Sequence, residues 1–63
     1  MIKLHTGLYT VPHASVLINV LKVYHQSQTK IVAKLQFVYK SGIVIETKSY
    51  DLNPENITHW IKY

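Results

Sequence analysis

The chain has 63 residues, 48% of them apolar, with seven lysines and no arginine against three acids, and no cysteine. At this length folding hides only about 60% of the surface that the unfolded chain exposes, and without cysteine neither disulfides nor thiolate metal sites supplement the core. The composition excludes a disordered tail and implies one small domain over residues 1–63, for which homodimer formation is a ready way to bury more apolar surface.

Purely apolar runs such as Val16-Leu17-Ile18 are too short for a membrane span or a signal peptide, so no membrane partner and a cytoplasmic location are expected. Lysine without arginine, together with abundant Ile and Tyr, is the residue usage of an AT-rich coding sequence, as in phages and mobile elements.

At the N-terminus, IKL and LYTV flank His5-Thr6-Gly7, which reads as a strand interrupted by a turn or bulge at Gly7. Residues 14–26 satisfy two periods. As a strand, Val16, Ile18, Val20 and Tyr24 alternate with Leu17, Leu21 and Val23. As a helix, Ser15, Asn19, Lys22 and Gln26 form a polar stripe, with Pro12 suitably early. The β-branched residues Val16, Ile18, Val20 and Val23 favour the strand.

Residues 30–50 read as a hairpin whose three-residue loop, Lys40-Ser41-Gly42, has glycine where a left-handed residue is needed. That loop sets Tyr39 opposite Ile43. Without interruption it continues as Phe37 with Ile45, Leu35 with Thr47 and Ala33 with Ser49 on one face. The other face then holds Val38 with Val44, Gln36 with Glu46, Lys34 with Lys48 and Val32 with Tyr50. In LNPENITHWIKY, Asn53 caps and Pro54 starts a C-terminal helix that packs Ile57, Trp60 and Ile61 on the sheet. The expected fold is therefore α+β: an antiparallel meander of three or four strands with a C-terminal helix, the alternative being β-α-β-β-α.

No catalytic, cofactor or metal site is expected. His5, His13, His25 and His59 share no three- or four-residue interval, and Asp51 and Glu55 are explained by a turn and a helix start. Two surfaces remain. Val32, Val38 and Val44, with Tyr50 beside them, form a second apolar face that suits a protein partner, or else the inside of a small barrel. Lys30, Lys34, Lys40 and Lys48 form a basic face that suits phosphate, with tyrosines nearby to stack on bases. The sequence thus points to a small non-enzymatic regulator, inhibitor or adaptor acting by protein contact. A basic nucleic-acid-binding module with weak sequence preference is the alternative.

Overall fold

The computed structural model describes residues 3–63. It contains five strands: β1 (Gly7–Thr10), β2 (Val16–Gln26), β3 (Ile31–Tyr39), β4 (Val44–Leu52) and β5 (Ile61–Lys62), with a 3-10 turn at Pro54–Ile57. All pair antiparallel in one sheet of order β4-β3-β2-β1-β5. This overturns both versions of the α+β expectation: the fold is all-β, with no α-helix among the described residues.

The C-terminal helix fails for a reason of length and opportunity. Its cap forms as the sequence implies, with the Asn53 side chain accepting from the Glu55 amide at 3.0 Å and Pro54 in the first turn. But a few residues gain little from helix propagation after the cost of nucleation, and β1 offers an open edge. Ile61 pairs with Thr10, Lys62 pairs with Tyr9, and the Tyr63 amide donates to the Leu8 carbonyl at 3.0 Å. Strand pairing satisfies backbone groups on both β1 and the C-terminus, which a helix would leave open on β1.

Residues 16–26 form the strand that the β-branched content favours, and the polar stripe that reads as helical is divided between its two faces. Register shifts occur between Val20 and Lys22 and between Val23 and His25. Each extra residue lengthens the local repeat from two to three. Asn19, Lys22 and His25 therefore all face one side, opposite Gln36, Lys34 and Val32, while Ile18, Val20, Val23 and Gln26 share the other. Bulges also increase the local twist of a strand.

That inner face holds the core. Tyr9 of β1, Ile18 and Val20 of β2, and Ile31, Ala33 and Leu35 of β3 are buried with Leu4 and Ile57. The segment ahead of β1 is held without strand pairing: the Gln26 side chain accepts from the Leu4 amide and donates to the Leu4 carbonyl. The expected strand at residues 2–4 is not formed at Lys3 and Leu4, and Ile2 lies outside the described residues. Gly7, with φ +126, begins β1. Pro12 belongs to a turn rather than a helix, closed by the Ala14 amide on the Val11 carbonyl at 3.2 Å, with His13 at φ 64.

The β3–β4 hairpin starts as the sequence predicts and then departs from it. Tyr39 donates to the Ile43 carbonyl and Gly42 to the Tyr39 carbonyl, both at 2.8 Å, and Val38 pairs with Val44. A shift then sets Phe37 against Glu46, Leu35 against Lys48 and Ala33 against Tyr50. Pairs expected beyond the shift, including Phe37–Ile45 and Lys34–Lys48, are replaced. The new register places the Tyr50 ring edge-on to Phe37, with centroids 5.5 Å apart, so a half-buried aromatic pair extends the core.

Gly42 has φ +99, and a Cβ there would meet nothing within 4 Å. Any penalty for a side chain is thus conformational rather than steric. Gly42→Val is expected to lower stability by about 1 kcal/mol or more, because a β-branched residue resists this region of dihedral space. Urea titration checks this, and unchanged midpoints would exclude the left-handed loop.

Candidate functional site

The register shift redistributes the residues that the sequence grouped. Lys34 stays on the outer face opposite Ser49, whereas Lys48 moves to the inner side of β4 opposite Leu35. Lys30 lies 3.7 Å from Asp51, an exposed ion pair that contributes little to stability. Lys40 sits in the hairpin loop. The four lysines do not form one face. Instead the bulge in β2 brings Lys22 directly opposite Lys34, with the Lys22 ammonium 5.2 Å from the centre of the exposed Tyr24 ring. Lys22 belongs to no sequence-stretch of alternating lysines, and only the added bulge residue could have revealed the pairing.

The valine group also divides. Val38, flanked by the buried Leu17 and the exposed Val44, lies at one end of the outer face, while Val32 lies at the other between His25 and Asp51. Between them run polar rows. Asn19 donates to Gln36 and Gln36 donates to Thr47, each at 3.4 Å, and the next row is Lys22, Lys34 and Ser49. Tyr50 is on the inner face with Phe37.

Four exposed apolar side chains gather at the hairpin end. Tyr39 is 45% exposed, Ile43 64%, Val44 52% and Ile45 47%, and all lie at or beside the β3–β4 loop. From there β4 runs as an edge of the sheet, paired among the described residues with β3 only. Tyr39 turns its amide toward β4, so by alternation Phe37, Leu35 and Ala33 do the same. Their partners Glu46, Lys48 and Tyr50 face back, and the backbone groups of Thr47, Ser49 and Asp51 point away from the sheet. This is an open template for another strand.

Three side chains organise the inner side of that edge. The Tyr50 hydroxyl donates to Glu46 Oε2 at 3.1 Å, and the Lys48 ammonium lies 5.9 Å from the centre of the Tyr50 ring. Partial desolvation, then the Glu46 carboxylate, raise the Tyr50 phenol above its ordinary value.

Among the described residues, no buried side chain is charged, no three His, Asp or Glu groups converge as metal ligands, and no helix is long and apolar enough to cross a membrane. The chain matches no protein-family profile, no curated protein and no solved structure.

Proposed function

We propose that this protein is a small non-enzymatic regulator, inhibitor or adaptor that works by protein contact through the β4 edge and the hairpin end. The observation that carries this reading is the conjunction of an open edge strand with exposed Tyr39, Ile43, Val44 and Ile45. Edge backbone groups supply strand-addition hydrogen bonds, and adjoining apolar side chains supply the desolvated contact. Natural edges are commonly blunted by charges and bulges. Here the bulge near Val44 leaves the stretch from Glu46 to Leu52 regularly paired to β3 and open on its other side.

A second reading rests on a different face. Lys22 opposite Lys34, with Tyr24 beside them, places two like charges where direct opposition is unfavourable, and phosphate would neutralise them. It gives a nucleic-acid module with backbone contacts and weak sequence preference.

One experiment separates the two. The immobilised protein, exposed to lysate of its native host with and without nuclease treatment, is expected to retain in both a protein that survives a wash at high salt and is lost with Ile43→Asp. If the retained material is instead nucleic acid, indifferent to Ile43→Asp but lost with Lys22→Gln/Lys34→Gln, the ranking reverses. Two phosphate contacts would give a logarithmic salt slope of about −2.

A further inference from the structure

We infer that the β4 edge is occupied by β4 of a second copy of the chain, antiparallel, about a two-fold axis through Thr47. This rests on the protein-contact reading and names the partner of the same edge.

The backbone restricts the choices. Thr47, Ser49 and Asp51 direct their amides and carbonyls outward, so an antiparallel partner must place outward residues opposite one another. For two copies of one strand, a two-fold axis then falls on a single residue, and the side chains choose which.

An axis at Lys48 opposes two lysines directly, and an axis at Glu46 opposes two glutamates. Each arrangement places like charges at the closest approach of the strands. An axis at Ser49 sets Glu46 against Leu52 and Lys48 against Tyr50, leaving both charges without an opposite. An axis at Thr47 sets Glu46 against Lys48 of the second copy, and by symmetry Lys48 against Glu46 of the second copy. Both are non-hydrogen-bonded pairs, in which side chains of an antiparallel ladder lie nearest.

The side-chain geometry on β4 is prepared for this. Glu46 receives the Tyr50 hydroxyl on Oε2, and its Oε1 remains for an ammonium. Glu46 and Lys48 share the inner side of the strand and are both exposed. The exposed hairpin ends, with Ile43, Val44 and Ile45, lie just beyond this short charged ladder at each of its two ends. A C2 interface of this kind is self-complementary and closes without leaving an open β4 edge.

The test is charge reversal followed by mixing, read by sedimentation. The wild-type protein is expected to be a dimer. Glu46→Lys alone and Lys48→Glu alone each create two like-charge pairs, and each should raise the dissociation constant at least tenfold while its circular-dichroism melt stays that of a folded chain. Mixed in equal amounts, the two variants should restore dimerisation, because the reversed side chains of one face their opposites on the other. The double variant Glu46→Lys/Lys48→Glu should dimerise like wild type. A monomeric wild type, single variants that dimerise unchanged, or a mixture that stays monomeric would each overturn the inference. The outcomes also stay distinct from those of the broader reading. A monomer that still retains a host protein through Ile43 removes the second copy but keeps the protein-contact role. A confirmed dimer that retains nothing from the lysate keeps the second copy and removes that role.

Discussion

Ile57→Ala is expected to lower stability by about 3 kcal/mol, and Ile57→Val by about 1, the usual range for removing buried aliphatic groups. Ile57 is 2% exposed although it lies in the 3-10 turn rather than in the sheet, and it belongs to the core with Leu4, Tyr9 and Leu35. Its turn joins β4 to β5, so an ill-fitting residue here also loosens the strand that covers the β1 edge. A domain of this size has only a few kcal/mol in total. The alanine variant should therefore be largely unfolded in conditions where the valine variant is folded. Urea midpoints measure both, and equal midpoints for wild type and alanine would show that the turn is not seated in the core.

The role of Ile57 shows where the sequence is legible and where it stops. Asn53 and Pro54 announce a capped turn, and the structure has it. Trp60, the natural choice for the anchor of a helix, is only half-buried and lies 6.0 Å from Tyr9 between ring centres, while Ile57 fills the interior. What ends the turn is the free edge of β1, which exists only after β1 and β2 have paired. Local propensity carries no record of it.

The hairpin teaches the same distinction over a shorter distance. Gly42 at the end of a three-residue loop fixes the first pairs, because few other residues accept its φ. The shift beyond Val38 has no such marker. An uninterrupted register also matches apolar to apolar, so the pattern alone does not choose. Packing of Tyr50 against Phe37 favours the shifted one, at the cost of leaving Ile45 exposed. In β2, only Asn19 and Lys22 of the helix-like stripe share a side, because the two bulges turn His25 to that side and Gln26 to the core side. Both candidate surfaces depend on these bulges. Lys22 meets Lys34 only once the extra residue of β2 is placed, and the shift in β4 turns Glu46, Lys48 and Tyr50, which strand alternation keeps together in either register, to the inner face.

Gln26→Leu is expected to cost about 2 kcal/mol, because it strands the Leu4 amide and carbonyl that the Gln26 side chain now pairs. Leu4 is 3% exposed, so its release also uncovers part of the core. Amide exchange at Leu4 should rise with the loss of stability, and unchanged exchange would mean that other contacts hold the segment. Gln26→Glu sharpens the test through pH. A protonated carboxyl repeats both bonds, its O–H donating to the Leu4 carbonyl and its C=O accepting from the Leu4 amide. An ionised carboxylate keeps the acceptor but repels the carbonyl. Binding therefore favours the protonated form and raises the folded-state pKa above the unfolded value of about 4.3. The stabilisation is fully present below that value and is lost as pH rises through the higher folded pKa. Gln26→Glu should thus approach wild-type stability in mild acid and fall away from it toward neutrality, whereas Gln26→Leu should stay below wild type by a constant margin. A Glu variant that tracks the Leu variant at every pH would show that the amide at residue 26 acts only as filler.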